Sequence, residues 1–285
     1  MGLIGASLSL ALKRADPGIN ILAADVNRDH LEVARDKGLA DRICASSSEL
    51  AAYSEFIIFC VPVRSMGDVA CEIKHALQPG TVITDVGSVK SSVIDSVAPH
   101  IPADCHFIPG HPVAGKETAG PDKGFAELFT GRSYVLCPLP ETDRKALERL
   151  RSLLKLTGCV LIELDATTHD RALGFTSHMP HVLAFSAMLQ SQSLSDELGL
   201  DISRFNGGSY EDMTRVATAD LKMWRDVFLS NSDNITKVMR GAINQMENFL
   251  NAMEEQDIER IETLIKKARN LKEEQNTKRL IAKGN

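Results

Sequence analysis

The chain has 285 residues, 44% hydrophobic and 25% charged, with a net charge of -6. Those fractions exclude a disordered, collagen-like or fibrous protein, and the length makes one large domain or two of ordinary size. Neither half is basic, so nucleic acid is not the default partner, and an anionic small molecule would need a local cluster of positive groups. No stretch is apolar for the ~20 residues of a membrane span. The cysteines (Cys44, Cys60, Cys71, Cys105, Cys137 and Cys159) are scattered without a CxxC pair, which reads as reduced thiols in a cytoplasmic protein. No set of side chains has metal-ligand spacing: His178 and His181 lie three apart with no third ligand, so no metal is expected.

The apolar start, Met1 to Leu12, is not a signal peptide, because Lys13 and Arg14 follow the apolar run instead of preceding it. Myristoylation fails as well, since Ala6 stands where Ser or Thr is required. The run Gly2-Leu3-Ile4-Gly5 before a helical pattern fits the last two glycines of a dinucleotide-binding turn, one for pyrophosphate approach and one for helix–strand packing. Ile19 to Asp25 reads as a strand ending in an acid twenty residues after Gly5, where a carboxylate hydrogen-bonds the ribose of NAD and repels the extra phosphate of NADP; Arg28 nearby pulls the other way. The first glycine of the turn and the strand before it are missing, so the expectation is a chain that starts inside the motif.

Residues 28–38 then read as an amphipathic helix. Phe56 to Val61 is a continuous apolar run, as in a strand buried on both faces, and stops at Pro62; Thr81 to Asp85 is another and stops at Gly87-Ser88. Both ends fall on the side where open α/β sheets bind ligands. Ser88 is read either as a small polar group beside a nicotinamide or as the N-cap of the helix after it. Cys105 to Pro109 is a further strand, ending in the loop Gly110-His111-Pro112-Val113-Ala114-Gly115. His111 is the candidate general base, since histidine titrates near neutrality; the alternative is a turn histidine bound to backbone.

Strands alternating with helices to about residue 160 give an α/β class with a parallel sheet, a Rossmann-type domain whose first strand is absent. After Glu163 the chain reads as long helices, so the expected division is 1–160 for dinucleotide binding and 161–285 for an all-helical domain. In that half Ser177 and His181 share a helix face, with Pro180 expected to kink the helix. Arg215 is either a bidentate carboxylate holder or a surface residue paired with Asp212 or Glu211. Ile235, Val238, Met239, Ile243, Met246, Phe249 and Leu250 recur at helical spacing.

Gly2-Leu-Ile-Gly-Ala-Ser7, Asp85-Val-Gly-Ser-Val-Lys90, Gly110-His-Pro-Val-Ala-Gly115, Ser177-His-Met-Pro-His181 and Asp212-Met-Thr-Arg215 through Met223-Trp-Arg-Asp226 together resemble the prephenate/arogenate dehydrogenases of tyrosine biosynthesis, in order and over nearly the whole chain. The resemblance implies NAD-dependent oxidative decarboxylation of prephenate or arogenate and a homodimer formed through the helical domain. It implies that His111 accepts the ring-hydroxyl proton and that Ser88 hydrogen-bonds this histidine beside the nicotinamide. The cofactor would lie on Gly2, Leu3, Ile4, Gly5, Asp25, Val61, Pro62, Gly87 and Ser88. Substrate would meet Ser88, His111, Gly115, Lys116, Glu117, Ser177, His181 and Arg215. Lys116-Glu117-Thr118 departs from the family's usual Thr/Ser-Glu-Lys, and Glu211 stands where relatives carry Arg; both bear on substrate preference. The competing readings are a β-hydroxyacid dehydrogenase or imine reductase, which also join a Rossmann domain to helices, and a catalytically silent NAD-binding protein.

Overall fold

Phe56 to Phe59 shows why the first half is a layered α/β structure. Ile57 and Phe59 enter one buried cluster with Met66, Ile73 and Val93, while Phe56 and Ile58 pack against another with Leu8, Leu136 and Leu150. The strand is apolar throughout because helices cover both of its faces. The computed structural model describes residues 1–116 and 118–284. In chain order they form α1 (Leu3–Ala15), β1 (Leu22–Ala23), α2 (Arg28–Asp36), β2 (Arg42–Ile43), α3 (Ser47–Ala52), β3 (Phe56–Phe59), α4 (Met66–Ile73), β4 (Val82–Asp85), α5 (Ser91–Val97), β5 (His106–Phe107), β6 (Gly110–Pro112), β7 (Ser133–Leu136), α6 (Arg144–Lys155) and β8 (Val160–Glu163). Helices follow: α7 (Ala166–Leu173), a π-helical turn (Gly174–His178), α8 (Met179–Leu198), α9 (Gly208–Thr214), α10 (Leu221–Ser230), α11 (Ser232–Glu254) and α12 (Ile258–Gly284). Asn27, Asp143 and Asp165 start α2, α6 and α7, each side chain accepting a backbone N–H of the first turn.

β3, β4 and β5 are parallel, as are β1 and β2. Among the described residues no strand bridges β1 to β3, the place where the first strand of the motif would lie. The strand expected over Ile19 to Asp25 is only two residues long, with Asp25 two positions beyond it.

The parallel strands are as expected, but the loop expected at Gly110 needs correction. Gly110–Pro112 is a strand, antiparallel to β7, with His111 opposite Val135; β8 adds parallel to β7. Ser133-Tyr-Val-Leu136 is too short to show a period, so its partner strand was read as loop. Pro112 is tolerated because β6 is an edge strand. Two compact units result, Met1–Ile235 and Thr236–Asn285, so the change from strands to helices after Glu163 falls inside the larger unit. No helix among the described residues is long and apolar enough to cross a membrane.

A buried ion pair fixes β6 to β4. Asp85 and Lys90 are both fully buried and joined, Lys90 Nζ to Asp85 Oδ1. Lys90 Nζ also donates to the Gly110 carbonyl at 2.5 Å, while the Gly110 N–H donates to Asp85 Oδ2 at 3.1 Å. Both backbone groups of the residue before His111 are thus held by one ion pair. Only glycine fits here, because a Cβ would lie 2.8 Å from Thr84 Oγ1 and 2.9 Å from the Asp85 carbonyl oxygen. Removing one member of a buried pair leaves the other charge uncompensated. Lys90→Met is therefore expected to cost roughly 3–5 kcal/mol in urea unfolding, with much of the loss recovered in Asp85→Asn/Lys90→Met. A cost near zero for the single substitution would contradict this role.

Candidate active site

From the ion pair the site extends to His111. Its ring is buried, and its Nδ1 lies 2.8 Å from Nε2 of His169, which α7 carries. Nδ1 of His169 lies 2.8 Å from Asp170 Oδ1. The Asp170 carboxylate accepts the backbone N–H of Lys90 at 2.6 Å and of Ser91 at 2.8 Å, at the start of α5. Burial works to raise the Asp170 pKa, but the hydrogen bonds from His169, Lys90 and Ser91 outweigh it and leave the carboxyl below its ordinary value. His111 is pushed well below the ordinary histidine value, by burial first and then by His169, Lys90 and His178. It is a neutral, desolvated imidazole near pH 7, with no protein partner for Nε2 among the described residues.

A second layer comes from α8 and α10. Pro180 sits in the first turn of α8, after the π-helical turn, so the break expected there is a widened turn at the helix start. The Ser177 carbonyl accepts from Nδ1 of His181 at 2.9 Å, and that imidazole stacks on Trp224 with ring centroids 3.5 Å apart. Trp224 and Val227 pack against Val89, the residue after Ser88. The indole therefore links the Gly87-Ser88 turn to His181. His178 is fully buried and takes a hydrogen bond at Nδ1 from Asn231 at 3.0 Å. Its Nε2 and the Trp224 indole N–H have no partner among the described residues.

The glycine turn lies at the carboxyl end of β3: a Cβ on Gly5 would sit 3.4 Å from Cys60 Cβ. Gly2 forms the N-cap of α1 without a side-chain cap, and the space around it is open. Leu3 and Ile4 are the first residues of that helix. Gly87 approaches Val63, just past Val61 and Pro62, so these two turns meet at one edge of the sheet. Asp25 opens a cleft of about 660 Å³ that Arg28, Cys44 and Ser46 also line. Its carboxylate accepts the Asn27 N–H at 2.8 Å and meets His30 and the α-amino group of Met1. A helix N-terminus with open space at Gly2, together with an acid that lines a cleft, can hold a dinucleotide.

Other expected residues stand apart from this cluster. Ser88 is half-buried but is not a helix cap, since α5 starts at Ser91 with Lys90 as its N-cap; no hydrogen bond joins it to His111 among the described residues. Gly115 and Lys116 are exposed, with Lys116 Nζ 4.4 Å from the centre of the Phe125 ring. Glu117 lies outside the described residues. Arg215 is exposed at the start of the turn Arg215–Thr218, which packs on α8. The sequence reading missed His169, Asp170, Lys90 and Asp85. Two signals were available: an adjacent His-Asp pair midway along α7, and a lysine and an acid five residues apart around Gly87-Ser88. No group of three metal-ligating side chains occurs among the described residues.

The buried histidines make stability depend on pH. Burial holds His178 at about 4, below the ordinary histidine value, so the unfolded chain binds its proton first. The stabilisation is complete above that ordinary value and is lost as pH falls toward about 4. His178 alone is expected to cost about 2 kcal/mol between pH 7 and pH 5, with His111 adding to the loss. Urea unfolding at the two pH values measures this, and equal midpoints would contradict it.

Comparison with known proteins places both halves of the chain in one family. Residues 8–163 match the prephenate dehydrogenase nucleotide-binding domain and residues 165–267 the prephenate dehydrogenase dimerization domain. The chain is 32% identical to the cyclohexadienyl dehydrogenase of Zymomonas mobilis over 90% of its own length and 87% of that protein. It is 31% identical to the prephenate dehydrogenase of Bacillus subtilis over 96% of its length and 74% of that protein. Among solved structures, prephenate dehydrogenase from Aquifex aeolicus in complex with hydroxyphenyl propionate and NAD+ superposes with a TM-score of 0.90 at 27% identity, covering 96% of this chain and 95% of that one. By its two matched domains and its curated relatives, the chain belongs to the prephenate dehydrogenase family.

Proposed function

We propose that the chain catalyses the NAD-dependent oxidative decarboxylation of prephenate to 4-hydroxyphenylpyruvate, of arogenate to tyrosine, or of both. The observation that carries the reading is His111, a buried neutral imidazole with Nδ1 committed to His169 and Nε2 without a partner among the described residues. NAD, when bound, supplies the hydride acceptor for the ring carbon that bears the hydroxyl. Gly2, Leu3, Ile4 and Gly5 would hold its pyrophosphate on the first turn of α1, and Asp25 its ribose. Val61, Pro62, Gly87 and Ser88 would border the nicotinamide end.

His111 Nε2 takes the hydroxyl proton as the carbon–hydrogen bond is given up, leaving a dienone. Loss of carbon dioxide from the quaternary carbon across the ring then leaves its bonding pair to the dienone, which becomes an aromatic phenolate and takes a proton back at oxygen. A desolvated base suits this step, because the proton comes from a neutral hydroxyl in a site that excludes water. Ser177, His181 and Arg215 are assigned to the substrate's carboxylates. The unpartnered N–H groups of His178 and Trp224 support an anionic ligand in this region. Gly115, Lys116 and Glu117 would border the side chain that distinguishes the two substrates.

We also infer that the chain acts as a homodimer. Ile243, Met246, Leu250 and Met253 form an exposed apolar stripe at helical spacing on α11, within the region matched to the dimerization domain. Sedimentation equilibrium is expected to give twice the 31.1 kDa chain mass, and a monomer at micromolar concentration would overturn this inference.

The catalytic assignment is tested by offering each substrate with NAD and following reduced nicotinamide. His111→Asn is expected to lower kcat by ~10²–10⁴ with little change in KM. Arg215→Ala should instead raise KM roughly tenfold or more. Near-normal turnover by His111→Asn would refute the mechanism.

A further inference from the structure

Asp170 and His169 settle which nitrogen of His111 is free to act. Both Asp170 oxygens accept backbone N–H groups, from Lys90 and Ser91, so the group is an acceptor-only carboxylate. The 2.8 Å contact from Oδ1 to Nδ1 of His169 therefore needs the proton on that Nδ1. In a neutral imidazole the other nitrogen is then an acceptor, and Nε2 of His169 takes a hydrogen bond from Nδ1–H of His111 at 2.8 Å. Two hydrogen bonds in series fix one tautomer of His111, with its lone pair on Nε2. His169 is fully buried and Asp170 is 1% exposed, so water does not compete for either bond.

We propose that His169 and Asp170 are positioning residues for His111, holding it as the Nδ1–H tautomer and stabilising the imidazolium formed when Nε2 accepts the substrate proton. This rests on the reading of His111 as general base. In the step itself the substrate O–H bond breaks, an Nε2–H bond forms, and the Nδ1–H stays in place. The new positive charge faces the His169 lone pair and, behind it, the Asp170 carboxylate. Charged and titratable groups packed around His111 are Lys90 from the turn before α5, Asp85 from β4, Asp170 and His169 from α7, and His178 from the π-helical turn. Lys90 is already paired with Asp85, so the charge set against the new imidazolium is the Asp170 carboxylate, one imidazole away. The arrangement serves the role of the buried acid in a Ser-His-Asp triad, lengthened by one imidazole.

Nitrogen-15 NMR of the histidine-labelled full chain tests the tautomer directly. The expected spectrum shows His111 and His169 each protonated on Nδ1 and bare on Nε2 near pH 7. His169→Leu, which keeps bulk but removes the acceptor, should shift His111 toward the Nε2–H form. It should also lower kcat by about 10²-fold or more, with KM and NAD affinity within about threefold of wild type. His169→Gln, whose amide oxygen can replace the Nε2 acceptor, should recover at least about tenfold of that loss. A wild-type His111 protonated on Nε2 overturns the proposal, as does a folded His169→Leu variant with wild-type kcat. The wild-type spectrum alone decides the tautomer if His169→Leu does not fold. Wild-type protein inert toward both substrates would refute the general-base reading, while the spectrum would still report on the histidine pair.

Discussion

The structure depends on a lysine buried where the sheet would otherwise be apolar. Lys90 lies beneath β6 and bridges Asp85 to the carbonyl of Gly110, while its own backbone N–H is taken by Asp170. A buried ion pair is weak evidence for stability, since desolvation opposes the attraction. Its value here is geometric. One side chain ties the end of β4, the start of α5 and the residue before His111, and its backbone adds α7. Each segment presents a residue to the same small region, so the carbonyl end of the sheet becomes a site instead of a set of independent turns.

That arrangement also sets the chemistry. A histidine in water is partly protonated near neutral pH and exchanges freely between its two neutral tautomers, which makes it an indifferent base. In this protein burial removes the water, the Lys90 ammonium disfavours a second charge, and the His169–Asp170 pair consumes one nitrogen. The product is an imidazole that stays neutral, faces one direction and has acceptors behind it for the charge it will acquire. The same burial places His178 and His111 among the groups that weaken the fold in mild acid.

How much was legible in the sequence follows from the range of the forces involved. The glycine turn, Asp25, the apolar β3 run and the helical second half depend on local spacing, and each stands where its pattern put it, although the strand before Asp25 is shorter than expected. β6 and β7 were not legible because their pairing joins residues more than twenty positions apart through segments of three and four residues with no period of their own. His169 and Asp170 are adjacent in the chain but reach His111 and Lys90 across 58 and 80 residues, and no local rule announces such contacts. Ser88 failed as a cap because Lys90, drawn inward by Asp85, displaces the helix start to Ser91. Arg215 could be named for its chemistry, but its exposure on the turn after α9 is set by tertiary packing.

The central claim is that this buried network leaves Nε2 of His111 as the atom that receives the substrate proton. A crystal structure of the chain with NAD and an unreactive 4-hydroxyphenyl acid tests it most directly. The account predicts the phenolic oxygen about 2.6–3.2 Å from His111 Nε2, with the His111–His169 hydrogen bond retained. A phenolic oxygen bound to another group, with Nε2 turned into the protein, would contradict it.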